Sequence, residues 1–246
     1  MVARFFVPDL VPEAGAQVPL PPAAAHHALR VLRLRAGEPV VVFDGRGGEW
    51  RGVLEAAGRD VARVRLEAFD PVSRELPFAV TVGQALLPAE RMDWAIQKAV
   101  ELGAARIVPL LTERTQTGGA LERGARKQAH WQQVAVAAAQ QCGRTVVPEV
   151  ALPRRWRDWI EEARKARAEA RYWLLAPGGV PLSRLSAPSA PVILLIGPEG
   201  GWSEEELDEA RRLGIERVGL GPRILRSETA AAAALAMMQA LWGGMD

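Results

Sequence analysis

The residues best suited to chemistry fall in two glycine-bearing runs in the last quarter of the chain. The first is Ile196-Gly197-Pro198-Glu199-Gly200-Gly201-Trp202-Ser203, which continues the apolar run Val192-Ile193-Leu194-Leu195. Ser203 and Glu206 have the S-x-x-E spacing of a capping box, and Glu204 and Glu205 add acidic charge to the same first helical turn. A glycine-rich turn leaving a buried parallel strand is where α/β proteins hold ligands, although glycine also closes such turns for structural reasons alone. Neither G-x-x-x-x-G-K-[ST] nor G-x-G-x-x-G is present, which argues against a nucleoside triphosphate or a classical dinucleotide. The acidic first turn would repel a phosphate and suits a ligand with a positive centre, such as a sulfonium.

The second run is Leu220-Gly221-Pro222-Arg223-Ile224-Leu225-Arg226-Ser227-Glu228-Thr229, and it leads into a helix of small residues beginning at Ala230. A plain core helix would account for the alanines. It leaves unexplained the grouping of Arg223, Arg226, Glu228 and Thr229 at the helix entrance. A guanidinium and a carboxylate so grouped can stabilise developing charge and move a proton; they can equally cap the helix and pair with each other.

The elements that must position these runs follow from periodicity. Residues 3–7, 39–43, 49–54 and 61–69 read as short strands, with turn chemistry at Asp44-Gly45-Arg46-Gly47-Gly48 and Ala57-Gly58-Arg59-Asp60. They predict a small β-barrel interrupted by one helix over 23–32. The basic run Arg30-Val31-Leu32-Arg33-Leu34-Arg35 alternates charge with apolar residues, so an extended segment would present three guanidiniums on one side. The prolines of Asp70-Pro71-Val72-Ser73-Arg74-Glu75-Leu76-Pro77 mark a linker, and the domains are placed at 1–72 and 73–246. Beyond it the pattern alternates: strands at 78–86, 106–111, 172–175 and 192–196, and helices around 92–100, 121–140 and 156–170. This predicts a parallel sheet covered by helices.

Composition narrows the function. At 246 residues and 49% hydrophobic content the chain can bury real cores. The lone Cys142 excludes a disulfide framework and a cysteine metal cluster, and reads as a small buried hydrophobe; no metal is expected. No apolar stretch of about 18 uncharged residues occurs, and Pro8 and Asp9 follow Phe6 too soon for a signal core, so a cytoplasmic protein without a membrane span is expected. The net charge is only +2, but residues 112–171 carry twelve Lys/Arg against seven Asp/Glu, a basic stretch that suits phosphate contacts or a solvated helix face.

The two runs at 195–201 and 220–230 resemble the cofactor-binding motifs of the knotted SPOUT class of RNA methyltransferases, and within it the ribosomal small-subunit methyltransferase E family, which methylates N3 of a uridine in the decoding region of 16S rRNA. The resemblance extends to Arg91-Met92-Asp93-Trp94-Ala95-Ile96-Gln97-Lys98-Ala99-Val100-Glu101-Leu102-Gly103, to Ala138-Ala139-Gln140-Gln141-Cys142-Gly143-Arg144, and to Arg4-Phe5-Phe6 and His26-His27-Ala28-Leu29-Arg30-Val31-Leu32-Arg33 of a PUA-like N-terminal domain.

The resemblance implies a C-terminal trefoil knot and a homodimer in which the alanine-rich helix contributes to a close interface. It further implies an S-adenosyl-L-methionine pocket formed by Leu175, Ile196, Gly197, Gly201, Leu220, Gly221, Ile224, Leu225 and Thr229. A side chain at Gly197 or Gly201 would then occupy ligand space. RNA of the small ribosomal subunit is expected on Arg4, Arg30, Arg33 and Arg144. Arg226 is expected to stabilise charge on the uracil oxygens and Glu228 to take the N3 proton, with Arg144 the next candidate. Three other readings stay open: a PUA-containing RNA binder without catalysis, a relative acting on tRNA or a ribose hydroxyl, and a small-molecule enzyme.

Overall fold

The computed structural model describes residues 2–10, 13–56, 61–115 and 124–243, so the loop expected at 57–60 and the helix start expected at 121–123 lie outside the described residues. The chain forms two compact units, Met1–Glu75 with Ala139–Val147, and Leu76–Ala138 with Pro148–Asp246.

The first unit contains β1 (Ala3–Phe6), β2 (Gln17–Pro19), α1 (Pro22–His26), β3 (Pro39–Phe43), β4 (Glu49–Ala56) and β5 (Ala62–Asp70). They form one five-stranded sheet in the order β1-β3-β4-β5-β2. Alternation sets the buried face: Ala62, Val64 and Leu66 of β5 point inward with Val40, Val42 and Leu54. A one-residue slip of β4 on β3, where Val42 pairs with Trp50, would turn these side chains to solvent. β2, only three residues long, gives no periodic signal and was not expected.

The arginine run does not form an extended ribbon. α1 passes into a π-helical turn at His27–Val31, Leu32 stays right-handed helical, and Arg33 takes a left-handed φ of 54°. Arg30, Arg33 and Arg35 are exposed, but period-two geometry does not place them.

The second unit contains β6 (Val80–Ala85), α2 (Ala89–Glu101), β7 (Arg106–Leu111), α3 (Gly124–Cys142), β8 (Glu149–Val150), β9 (Arg154–Arg155), α4 (Trp156–Ala166), β10 (Arg171–Pro181), β11 (Val192–Ile196), α5 (Glu204–Arg212), β12 (Glu216–Gly219) and α6 (Ser227–Trp242). The last turn of α3 belongs to the first unit. The strands make one seven-stranded parallel sheet, ordered β12-β10-β11-β6-β7-β8 with β9 also on β7. All five residues of β11 are buried, as a central strand covered on both faces requires.

α2 buries Met92, Ala95, Ile96, Ala99 and Val100 at helical spacing, and the larger of these stabilise the unit by about 1.5–3 kcal/mol each. α6 buries Ala231, Ala234, Leu235 and Met238 in the same way and begins three residues earlier than its alanines suggest, at Ser227. β10 runs well past 175. It pairs with β12 at Leu175↔Val218 and again at Val180↔Val218, so residues 176–179 leave the ladder and rejoin it at the same partner.

Candidate active site

A cavity of about 660 Å³ opens at the carboxyl ends of β10, β11 and β12, within the range of small-molecule sites. Three segments wall it: Leu175, Ala176 and Pro177; Ile196 through Trp202; and residues of the stretch from Arg217 to Ala230, among them Leu220, Gly221 and Arg223 through Ser227.

Each segment is fixed by a specific contact. Trp202 Nε1 donates to the Leu175 carbonyl at 3.1 Å, tying the turn after β11 to β10, and the indole packs edge-on against Trp156. Ser203 caps α5: its Oγ accepts from Glu206 N while Glu206 accepts from Ser203 N at 3.0 Å, the capping box expected from sequence. Ser227 Oγ donates to the Gly197 carbonyl at 2.5 Å and accepts from Gln84 Nε2 at 2.9 Å. The first residue of α6 is thereby joined to the first residue of the turn after β11.

Leu175, Ile196, Gly197, Gly201, Leu220, Gly221, Ile224 and Leu225 all line the cavity, as does Arg226; Thr229 does not. Glu228 is buried at the start of α6 and also lies off the wall; its Oε2 is buried with no hydrogen-bond partner among the described residues. The expected reason for glycine at 197 is corrected. A Cβ there would meet not open ligand space but Trp202 Nε1 at 2.8 Å, whereas at Gly201 it would meet nothing within 4 Å. The space beside Gly201 is therefore open, and its φ of +70° favours glycine as well.

The wall is also basic where an acidic one was expected. Glu206 is fully buried and accepts from the backbone N–H groups of Ser203 and Glu113, and Glu204 and Glu205 lie away from the cavity. Among the described residues the lining charges are Arg91, Arg217, Arg223 and Arg226 against the single carboxylate Glu199, which pairs with Arg91. Arg217 donates to the Pro177 carbonyl and Arg114 to the Gly200 carbonyl, so backbone oxygens hold two guanidiniums at this end of the sheet.

Two of the four arginines expected to hold RNA are spent inside the first unit. Arg144 is 3% exposed, and its Nε and Nη2 grip both oxygens of Glu75. Arg4 pairs with Glu49 at 2.5 Å, donates to the Arg144 carbonyl and lies over the Phe43 ring. Burial lifts the Glu49 carboxyl, but the hydrogen bonds and charges of Arg4 and Arg74 outweigh it and hold the group below its ordinary value of 4.5. Gln140, in the same motif as Arg144, accepts from Phe6 N at 2.8 Å. This motif is therefore a brace for β1. Cys142 is half-buried rather than buried, its thiol against the Ala139 carbonyl at 3.8 Å.

Sequence reasoning did not single out Gln84 or Arg217 for the site. Gln84 left a signal, a lone amide in a strand buried at every position. Arg217, on an exposed edge-strand position, left none.

A parallel sheet with its cavity at the carboxyl ends, and a separate small β unit, is matched by two families: residues 74–239 by an RNA methyltransferase domain and residues 20–67 by an RNA methyltransferase PUA domain. Among curated proteins, the chain is 36% identical to the ribosomal RNA small subunit methyltransferase E of Synechocystis sp., over 92% of this chain and 74% of that one. It is 32% identical to the protein of the same name in Mycobacterium bovis, over 100% and 95%. Among solved structures, a ribosomal RNA small subunit methyltransferase E from Neisseria gonorrhoeae bound to S-adenosyl methionine superimposes with a TM-score of 0.91 at 34% identity, covering both chains fully. By class the chain is an RNA methyltransferase. It belongs to the ribosomal RNA small subunit methyltransferase E family.

Proposed function

We propose that this protein transfers the methyl group of S-adenosyl-L-methionine to N3 of a uridine in the decoding region of 16S rRNA, in the cytoplasm, on free RNA or the small ribosomal subunit. The observation that carries this reading is the 660 Å³ cavity walled by both glycine-bearing runs in a chain of this family. The wall fits the cofactor. Leu175, Ile196, Leu220 and Leu225 offer apolar contact to an adenine, Glu199 offers a carboxylate to a cationic centre, and the arginines offer partners to a carboxylate. Gly201 and Gly221 leave open space where a Cβ would stand.

S-adenosyl-L-methionine supplies an electrophilic methyl group when bound. The protein must then help an imide nitrogen lose its proton. Deprotonation of N3 spreads negative charge onto O2 and O4, and Arg226, exposed on the cavity wall, is assigned to meet it. Glu228 is assigned to receive the proton through a water, since its Oε2 is a buried carboxylate oxygen without a partner two residues along the same helix entrance. Arg30 and Arg33, both exposed, are assigned to the RNA backbone; Arg4 and Arg144 are not.

The fold class proposed is a SPOUT trefoil-knot domain at 73–246 after a PUA-like barrel at 1–72, in a two-fold homodimer. Support for the dimer is the group of apolar residues Ala236, Ala240 and Leu241 left exposed along α6. Light scattering at micromolar concentration should give twice the chain mass.

The function is tested by incubating the protein with cofactor and with small-subunit RNA that lacks modifications, then digesting the RNA for mass spectrometry. One 3-methyluridine is expected. A methyl group on a ribose, or on tRNA alone, would overturn the reading.

A further inference from the structure

The first unit holds a second cleft, of about 310 Å³, lined by Leu10, Phe43, Asp44, Gly47, Gly48, Trp50 and Phe69. We propose that it takes one unstacked RNA base bearing an exocyclic amino group, stacked on Phe69 where that ring is backed by Trp50, and read at its edge by Asp44. The inference rests on the RNA substrate proposed above.

Four observations support it. The cleft is aromatic where it is accessible: Phe69 is 51% exposed, and its ring stands 5.3 Å from that of Trp50 at an angle of 49°. A half-exposed ring beside a buried one is a ready platform for a base, whose π-face stacks whatever its identity. The floor is also built for that ring. Gly48 has φ of +69°, and a Cβ there would lie 2.3 Å from Phe69 Cζ, so only glycine lets the ring lie on the loop.

The β3–β4 loop is held in place from behind. Gly47 N donates to the Thr145 carbonyl at 3.2 Å, Val147 N donates to the Gly45 carbonyl at 3.1 Å, and Gly45 and Arg46 both bridge to Val146. Such a loop need not be ordered on binding, which lowers the entropic cost of association.

Chemistry at the rim selects the occupant. Among the described residues lining the cleft Asp44 is the only charged one, and its Oδ1 accepts from Arg46 N at 2.9 Å. That bond orients the carboxylate, whose other oxygen is an acceptor with no proton of its own. A carboxylate pairs with the amino group of cytosine, adenine or guanine and repels the O4 carbonyl of uracil and any phosphate. Arg46, exposed next to it in the loop, suits the phosphate of the same nucleotide. The volume, at the small end for ligand sites, admits one heterocycle rather than a duplex.

The test uses the full-length protein and fluorescence anisotropy of labelled single-stranded decamers, one of uridine only and others with a single central cytidine or adenosine. The amino-bearing decamers should bind about tenfold tighter than the uridine decamer. Phe69→Ala should weaken them by about tenfold or more, toward the uridine decamer. Asp44→Asn keeps an acceptor for Arg46 N and adds a donor toward the base, so it should remove or reverse the preference against uracil.

Ultraviolet crosslinking of the unaltered protein, mapped by mass spectrometry, checks the same site without a substitution and should label Trp50 or Phe69. Equal binding of all decamers, with crosslinks elsewhere, overturns the proposal. If that occurs while small-subunit RNA is still methylated, the cleft alone is wrong; if base preference holds and no 3-methyluridine forms, the proposed activity alone is wrong.

Discussion

Ser227 Oγ lies 2.5 Å from the Gly197 carbonyl oxygen, so a residue that opens the last helix is fastened to a turn thirty positions earlier in the chain. Gln84 Nε2 in turn donates to that hydroxyl from the middle of the sheet. Ser227→Ala removes the donor to one part-buried carbonyl and the acceptor of one buried amide, and should cost about 1–3 kcal/mol of stability. Because the fastening joins two walls of the cavity, cofactor affinity should fall roughly tenfold by calorimetry. Undiminished affinity would show that the walls are held by other contacts.

The two glycines at the ends of the same turn should fail differently. Gly197→Ala drives a Cβ to 2.8 Å from Trp202 Nε1 and should dislodge the indole from the Leu175 carbonyl, lowering stability by about 1–3 kcal/mol and shifting tryptophan emission. Gly201→Ala meets no atom and costs only the strain of φ +70°, about 1–2 kcal/mol, with emission unchanged. Gly201→Val, which adds bulk beside the cavity, should in addition weaken cofactor binding; calorimetry gives the comparison.

For the chemical step, single-turnover methylation at saturating cofactor should fall by roughly a hundredfold or more in Arg226→Ala, with cofactor affinity retained. Glu228→Gln should fall comparably, and its rate should recover as pH rises if solvent takes the proton instead. Rates within about threefold of the unaltered protein in both variants would leave these residues structural.

Arg144→Ala should behave as a folding variant. It strands Glu75, and breaking a pair this buried should cost about 3 kcal/mol by denaturant titration. The salt dependence of RNA binding should keep its slope in a destabilised but folded sample. Arg30→Ala and Arg33→Ala should each lower that slope by roughly one unit and leave stability nearly intact. The opposite pattern would return Arg144 to the RNA surface.

Acid should loosen the first unit through Glu49. Its folded-state carboxyl sits below the ordinary value of 4.5, so its pairs with Arg4 and Arg74 stabilise the unit fully above that value. The contribution drains away as pH drops below 4.5 and through the lower folded value. Glu49→Gln should therefore be less stable than the parent at neutral pH and lose less on acidification. Urea midpoints between pH 7 and pH 3 provide the check.

The turn after β11 was legible because local chemistry marks it: an apolar strand, a glycine turn and a capping box lie within fifteen residues, Val192 to Glu206. What escaped depends on partners far off in sequence. Nothing near Arg144 announces Glu75, 69 positions away, and nothing near Arg4 announces Glu49, so two internal ion pairs looked like surface charge. Local spacing marks the acidic helix start, but its inward carboxylate, Glu206, answers to Glu113 N, 93 positions earlier. The excursion of β10 at 176–179 breaks no composition rule, since both sides of it pair with the same residue of β12.

Apart from Arg91, every residue on the cavity wall lies between Leu175 and Ala230, and the sheet's outer order β12-β10-β11 is completed only by the last of them. During synthesis, then, the cavity cannot close until the segment from Leu175 to Ala230 has emerged from the ribosome as a whole. A ligand that binds only the finished site lends no stability to shorter nascent chains. Any truncation before α6 yields a product that cofactor cannot rescue, and cellular quality control would meet it as an unliganded sheet with exposed apolar strands.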